Sequence, residues 1–334
     1  MRRRMVAALC AACLSLTGCG GSPWSNYRAL EELLPVQTMG FDRREEQMLL
    51  TVAAPGDSPD SNTLLSAPGE TVAAAAETLR NRGRRQELFF PQVRFALVGP
   101  QAARQGLEEI FDWFAHSGRT RLDLPLWILL EGSAQELILG GGTADTGITG
   151  ALEALQRQNR AMPTLLDTAR QLRRTGAAAC PVLTVVTEGD ALLPRADSFA
   201  VLRPDGLADY LTEEESLGTA LLLGRRDSLA LYPEEGILTV RPLRLSHRWE
   251  GRRLEVVLHY AGRLSQAPEG AETALEAAVN DHLTACLSAA LDRAAAWEAD
   301  FLNVTRDGVF PAGATWNITV RGKLLPPAGR EAQA

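Results

Sequence analysis

Residues 89–139 read FFPQVRFALVGPQAARQGLEEIFDWFAHSGRTRLDLPLWILLEGSAQELIL, and this stretch decides the fold class. Phe89–Val98 is an apolar run that predicts a buried strand, and Ala102–Ala115 repeats apolar side chains at helical spacing. Leu124–Leu130 is apolar throughout, which is typical of a central strand, and Ser133–Leu139 begins another helix. The order strand, helix, strand, helix favours parallel pairing of the two strands.

The chain on either side of this stretch adds elements of both kinds. Thr38–Ala53 reads as a strand, a charged turn and a second strand, which indicates a hairpin. Pro55–Thr63 is rich in Gly, Asp, Ser and Pro and predicts a loop, and Gly69–Arg82 predicts a helix with one apolar stripe. Pro181–Glu188 predicts another strand. We therefore expect an N-terminal α/β region that extends over residues 19–190.

A second region, expected over residues 197–325, opens with a strand, a turn and a return strand. A helix should follow, with Thr212 as its N-cap and Glu215 completing a capping box. Ile237–Leu245 and Arg253–Tyr260 then predict antiparallel strands, because apolar and polar side chains alternate in the second of them. These elements are of a different kind and order from those of the first region.

Glu272–Phe301 is the longest predicted helix, and its apolar stripe should pack on the strands before it. The stripe consists of Leu275, Val279, Leu283, Leu287, Leu291 and Ala294. Residues 315–322 predict a last strand, and residues 326–334 are expected to be a disordered tail. The predicted fold class is α+β: a multi-domain, mixed α/β chain with C-terminal antiparallel strands packed on one long helix.

The start of the chain resembles the leader of a bacterial lipoprotein. Three arginines precede Val6–Leu16, an apolar run too short to span a bilayer as a helix. The sequence Leu-Thr-Gly-Cys at Leu16–Cys19 is similar to a lipobox. That resemblance implies a signal peptide of residues 1–18 and a diacylglyceryl group on Cys19, which would hold the protein on the extracytoplasmic face of a membrane. A plain signal peptide or an uncleaved anchor is the alternative.

Charge limits the classes of function. The 334 residues carry a formal net charge of −7, and loss of residues 1–18 with their three arginines would bring it near −10. Such a chain is a poor match for nucleic acid and for broad electrostatic docking on anionic lipid. Cys180 and Cys286 lie in apolar surroundings and are expected to be buried free thiols rather than a disulfide.

No set of residues has the spacing of a catalytic or metal site. The four histidines are far apart: His116, His247, His259 and His282. Gly142–Gly147 matches the first positions of a P-loop, but Ile148 stands where the phosphate-binding lysine belongs. The acidic residues 213–215 are explained by the preference of a helix N-terminus for negative charge. We therefore expect no catalysis, no cofactor and no bound metal ion.

Six blocks of the sequence follow one another in an order that is similar to that of a known family. They are Trp24–Leu33, Met39–Arg44, Phe89–Ile110, Phe114–Arg121, Gly132–Glu136 and Phe199–Glu215. The family is Ger(x)C, the lipoprotein C subunits of spore germinant receptors. Its hairpin motif matches at Asp42, and the start of one of its helices matches at Gly132–Glu136.

The resemblance implies a role without catalysis. A protein of this family would be anchored by Cys19 on the outer face of the spore inner membrane. It would assemble with an integral-membrane A subunit and a transporter-like B subunit, and the receptor would sense small germinants and trigger germination. The family fold implied is three α/β domains. The alternative from another class is an extracytoplasmic solute-binding lipoprotein of a transporter, which would need two similar lobes around a cleft.

Overall fold

The computed structural model describes residues 30–56, 62–82, 86–117, 120–142, 147–158, 162–189, 191–224, 229–231, 237–266 and 272–325. In these residues the chain forms an eight-stranded sheet, a four-stranded sheet and a short two-stranded sheet, with helices packed on them. The architecture is mixed α+β, which confirms the predicted fold class.

The strands are β1 (Leu33–Pro35), β2 (Thr38–Arg44), β3 (Gln47–Pro55), β4 (Asn62–Gly69), β5 (Glu87–Phe89), β6 (Phe95–Val98), β7 (Leu126–Leu129), β8 (Ala178–Glu188), β9 (Ala191–Arg203), β10 (Gly206–Tyr210), β11 (Leu229–Leu231), β12 (Ile237–Glu250), β13 (Arg253–Gln266) and β14 (Thr315–Leu325). The α-helices are α1 (Val72–Arg80), α2 (Pro100–Arg104), α3 (Glu108–His116), α4 (Ala134–Gly140), α5 (Gly147–Gln158), α6 (Leu165–Thr175), α7 (Glu213–Leu222) and α8 (Glu272–Ala296). Short 3₁₀ turns occupy Leu30–Glu32 and Phe90–Gln92.

The large sheet has the strand order β10-β9-β8-β7-β6-β2-β3-β4. Its four central strands β8, β7, β6 and β2 are mutually parallel. Antiparallel hairpins extend it at both edges, β2-β3-β4 on one side and β8-β9-β10 on the other. The parallel pairing of β6 with β7 is the one that the strand–helix–strand order predicts.

Helices cover both faces of the large sheet, which is why β6 and β7 are buried along their whole length. Alternation along β6 sends Ala96 and Val98 into a core with α1, α2 and α3. Phe95 and Leu97 point into the opposite core, with α4 and α5, where the ring of Phe95 stacks on that of Trp127 at 5.5 Å. The sheet is therefore the middle layer of this part of the molecule.

The four-stranded sheet has the order β11-β12-β13-β14 and is packed on α8. β12 and β13 form a long antiparallel hairpin around the turn at Gly251, and β14 returns parallel to β13 after the chain has passed through α8. One face of β13 is buried against the helix through Leu254, Val256, Leu258 and Tyr260. The predicted packing of antiparallel strands on one long helix is confirmed.

The two sheets are joined through a shared apolar core. Phe199 and Val201 of β9 lie in the same buried cluster as Leu283 and Leu287 of α8, together with residues of α7. β9 runs from Ala191 to Arg203 and pairs with β8 in the large sheet, so it passes through the predicted boundary between the two regions. The division into residues 19–190, 197–325 and a tail stays a prediction.

The structure differs from the sequence-based expectations in four local places. β4 lies between the predicted loop of residues 55–63 and the predicted helix of residues 69–82, where the sequence pattern assigned no strand, and overlaps the end of the one and the start of the other. The expected strand over residues 89–98 is interrupted by a 3₁₀ turn at Pro91. The expected helix over residues 102–115 is two helices, because Gly106 at φ 100° ends the first one. The long helix ends at Ala296, shortly before Glu298 takes a positive φ of 50°.

Candidate functional site

The predicted lipid attachment residue, Cys19, and the predicted signal peptide lie outside the described residues. The four histidines are all exposed, and no group of three or more His, Cys, Asp or Glu in the described part of the chain could hold a metal ion. Of the P-loop-like segment, the structure describes Gly142 and Gly147 but not the residues between them.

A buried carboxylate fastens the start of α4 to β2. The side chain of Asp42 accepts hydrogen bonds from the backbone N–H groups of Ala134 and Gln135, each at 2.8 Å. Ser133 and Glu136 form a capping box at the same helix end. The carboxylate and the capping box thus satisfy backbone N–H groups that a helix start leaves without partners.

Glycine at position 99 makes room for this contact. A Cβ atom on Gly99 would lie 2.2 Å from Oδ1 of Asp42, closer than two atoms can approach. The backbone N–H of Gly99 donates to the carbonyl of Phe41 at 2.8 Å, which draws the end of β6 against β2. Three of the blocks that resemble the Ger(x)C family therefore meet around one carboxylate, at Asp42, Gly99 and Ala134.

The Asp42→Asn substitution should change the pH dependence of stability. Burial raises the pKa of Asp42 above its ordinary value of 3.8, although its two backbone donors oppose this shift. The folded state then binds the proton more tightly than the unfolded state, so the stability that Asp42 contributes is fully present below pH 3.8 and falls as pH rises through the raised pKa. We expect wild type to lose unfolding free energy relative to Asp42→Asn over that interval.

Urea unfolding of both proteins between mildly acidic and neutral pH measures this difference. Above the raised pKa the difference should be constant, because Asp42 is then ionised in both states. An advantage of wild type that grows with pH would contradict the prediction, since it would mean that the two N–H donors outweigh the cost of burial.

A second buried carboxylate organises the segment after α8. Asp300 is fully buried, and its two oxygens accept hydrogen bonds from the backbone N–H of Val304 at 3.0 Å and of Thr305 at 2.7 Å. The hydroxyl of Thr305 donates to the same carboxylate at 2.7 Å. These bonds close residues 300–305 into a compact loop.

This loop contacts the large-sheet part of the chain. Gln171 of α6 donates from its side-chain amide to the carbonyl of Phe301 at 2.8 Å, and Arg174 donates to the side-chain oxygen of Asn303. Arg203 at the end of β9 donates to the carbonyl of Trp297 at 3.0 Å. The segment that follows the long helix therefore fixes the position of α8 against α6 and β9.

A cleft of about 900 Å³ opens beside the same loop. Its walls carry the guanidinium groups of Arg174, Arg248 and Arg306, and Asp307 is an acidic residue among them. The volume lies within the range of small-molecule sites, and clustered arginines favour an anionic ligand or an acidic protein segment. Arg174 and Arg248 already bind Asn303 and Glu250, so the cleft is a candidate ligand site in which Arg306 is the arginine without an ion pair in the described residues.

The two cysteines of the described residues are unsuited to nucleophilic chemistry. Cys180 and Cys286 are buried free thiols, as the sequence predicts. Burial raises the pKa of both, that of Cys286 to about 11, so both remain protonated at neutral pH. Their role is that of small apolar side chains in the core.

One side of the long helix α8 is buried in the core of the protein. None of the helices in the described residues is both long and apolar enough to cross a bilayer.

Comparison with known proteins identifies a known domain in the first half of the chain. Residues 26–187 match the family model described as the spore germination protein N-terminal domain. None of the curated proteins gives a match. Among solved structures, the crystal structure of the GerBC protein is similar at 10% sequence identity, with 86% of this chain and 96% of that chain covered and a TM-score of 0.47.

The family match includes the residues that meet around Asp42. In the sequence, Asp42, Gly99 and Ala134 belong to separate blocks, and no local pattern relates Asp42 to Ala134, 92 positions away. The short side chains at Gly99 and Ala134 are the signal that the sequence contains, since small residues allow close approach of two elements. The three arginines of the cleft, Arg174, Arg248 and Arg306, are far apart in the chain, so no local sequence pattern indicates that they lie together.

Proposed function

The chain belongs to the Ger(x)C family of spore germination proteins, whose N-terminal domain it carries in residues 26–187, and from this premise we propose that it is the C subunit of a spore germinant receptor. In this role it is anchored by a lipid on Cys19 to the outer face of the spore inner membrane. It has no catalytic task, and it holds the receptor together with integral-membrane A and B subunits. The observation that supports this proposal is the match of residues 26–187 to the family model.

Three features of the described structure support a binding role: the cleft, the two buried thiols and the two buried carboxylates. The cleft beside residues 300–305 is lined by arginines, whereas the two thiols that could serve as nucleophiles are buried and protonated at neutral pH. The buried carboxylates Asp42 and Asp300 are each occupied by hydrogen bonds from backbone N–H groups, which fix the positions of neighbouring elements. Such a molecule presents rigid surfaces to partners.

A solute-binding lipoprotein is the second candidate, and the cleft of about 900 Å³ is the observation that favours it. The two sheets argue against it. One has eight strands and a parallel centre, the other has four strands, and a solute-binding protein of the hinged type would need two similar lobes. The C-subunit role is therefore the better supported of the two.

A pull-down from spore inner membranes tests the proposed function. The full-length chain carries an affinity tag at its C-terminus, the membranes are solubilised in mild detergent, and the recovered proteins are identified by mass spectrometry. We expect two polytopic membrane proteins, one of them transporter-like, to be recovered with the chain. Recovery of an ATPase and a permease instead would favour the solute-binding role, and recovery of the chain alone would contradict the C-subunit role.

The Cys19→Ala variant tests the anchor in the same preparations. Without the thiol no diacylglyceryl group can be attached, and two acyl chains are what makes such anchoring stable. We expect the variant to leave the membrane fraction almost completely, as measured by immunoblotting of membrane and soluble fractions. The matched control is Cys180→Ala, which removes a buried thiol from the core and should remain on the membrane. Equal membrane retention of Cys19→Ala and wild type would contradict the lipid anchor.

A further inference from the structure

The outer face of the four-stranded sheet is strongly basic. In the register of the sheet, Arg244 of β12, His259 of β13 and Arg321 of β14 form one row across three strands. The next row consists of Arg241, Ala261 and Lys323 in the same strands. Since side chains paired in register point to the same face, these cations stand together on the side opposite to α8.

These cations are exposed and lack acidic partners. Arg241, Arg244, Arg321 and Lys323 are all exposed, as is Arg263 in the row after them. Among the residues that the structure describes, none of the five forms an ion pair.

The acidic residues of this face lie at its other end. Glu250 and Glu255 pair with Arg248 and Arg253 around the hairpin turn. The part of the sheet remote from the turn therefore carries an excess of positive charge that no described acidic side chain compensates.

The same face continues toward the hairpin turn with smaller side chains. The next row toward the hairpin turn consists of the small or β-branched side chains Ser246, Val257 and Thr319, and Leu243, at the bulge before Arg244, is exposed. Neighbouring strands lie about 4.8 Å apart, so four cations occupy an area of roughly one nanometre in each direction. The arrangement is an extended array and differs from the cleft beside residues 300–305, where arginines surround a concave space.

We propose that this face, defined by Arg241, Arg244, Arg263, Arg321 and Lys323, binds the headgroups of anionic phospholipids. A planar array of unpaired cations matches the planar array of phosphates at a membrane surface. The whole chain has a formal net charge of −7, so the rest of the protein taken together is negative and is repelled by an anionic membrane. The face would thus determine which side of the protein turns toward the membrane, and it does so whether or not Cys19 is acylated.

Vesicle binding tests this proposal. The full-length chain is used with Cys19→Ala, Arg2→Gln, Arg3→Gln and Arg4→Gln in every sample, so that neither acyl chains nor the arginines of the leader contribute. Binding to phosphatidylcholine vesicles, which measures the contribution of the leader, is subtracted from binding to vesicles that also contain phosphatidylglycerol. The test variant combines Arg241→Gln, Arg244→Gln, Arg321→Gln and Lys323→Gln. We expect the phosphatidylglycerol-dependent partition to fall by roughly tenfold or more in this variant, and to disappear in wild type at high salt because the attraction is screened.

The control variant removes the same number of positive charges from another part of the protein. Arg82, Arg104, Arg157 and Arg195 are exposed arginines of the large-sheet part, without ion pairs in the described residues, and each is changed to Gln. We expect it to keep phosphatidylglycerol-dependent binding. An equal loss in both variants would overturn the proposal, because net charge alone would then explain binding.

A second probe separates a membrane from an acidic protein partner. Soluble polyglutamate is offered to wild type and to the test variant. If wild type binds polyglutamate through this face but does not bind phosphatidylglycerol vesicles, the lipid proposal is overturned. Thermal unfolding of all variants, monitored by circular dichroism, shows that the fold is retained, as expected for exposed positions.

Discussion

The Leu283→Asp variant should lose about 5 kcal/mol or more of unfolding free energy. Leu283 is fully buried in α8, within the core that the helix shares with β13 and with Phe199 of the large sheet. Removal of the leucine side chain by itself costs about 2–5 kcal/mol, and burial of a carboxyl group adds a further cost. Since whole domains are stable by about 5–15 kcal/mol, this single change should unfold the C-terminal unit near physiological temperature.

Chemical denaturation followed by circular dichroism and tryptophan fluorescence measures this effect. Trp249 and Trp297 pack against the same core and report on it directly. The matched control is Ala285→Asp, which places the same charge on the exposed side of the same helix. We expect the control to lose only about 0.5 kcal/mol. Equal stabilities of the two variants would show that the apolar stripe of α8 is not buried.

The Gly218→Ala variant should lose about 3 kcal/mol, which reverses the usual sign of this substitution. In the interior of a helix, alanine is normally more stable than glycine by about 1 kcal/mol. Here a Cβ atom on Gly218 of α7 would lie 2.0 Å from the backbone oxygen of Cys286 and 2.9 Å from Cβ of Ala290, both in α8. The two helices would have to move apart, and the core between them would lose its close packing.

The sign of the change in unfolding free energy distinguishes the two explanations. The control, Glu214→Ala, alters an exposed residue of the same helix and should change stability by about 0.5 kcal/mol or less. A Gly218→Ala variant that is more stable than wild type would mean that helix propensity prevails and that α7 and α8 are not in backbone contact. Thermal melts of the three proteins distinguish these outcomes.

Leu283→Asp and Gly218→Ala should both affect function, because both loosen the packing of α8 in the core that joins the two sheets. α8 is held by its core against α7 and β9, and by the loop of residues 300–305 against α6. If partners recognise a surface made by both sheets, loosening of α8 should reduce recovery of the A and B subunits in the pull-down.

Local elements could be read from the sequence. The capping box predicted for Thr212 and Glu215 is confirmed, with the hydroxyl of Thr212 accepting from the N–H of Glu215 at 3.3 Å. The hairpin of β2 and β3 and the apolar stripe of α8 are also confirmed. Each of these depends on residues within a few positions of one another, where periodicity and capping chemistry act directly.

Other features depend on residues that are distant in the chain. The place of β4 at the edge of the large sheet is set by pairing with β3, and its own sequence pattern did not predict a strand. The close approach of Gly218 to Cys286 and the bonds from Asp42 to α4 join segments that are far apart in sequence. No pattern within one segment contains the identity of its partner.

The sequence by itself indicated the fold class, the approximate positions of several long helices and strands and the resemblance to the Ger(x)C family, and the anchor at Cys19 stays its prediction. Only the tertiary structure decided how charge is distributed. The net charge of −7 indicates a protein that avoids anionic surfaces, yet pairing of β12 with β13 and of β13 with β14 gathers cations on one face. The physical reason is that net charge is a sum over residues, whereas a surface potential depends on which residues the sheet brings together.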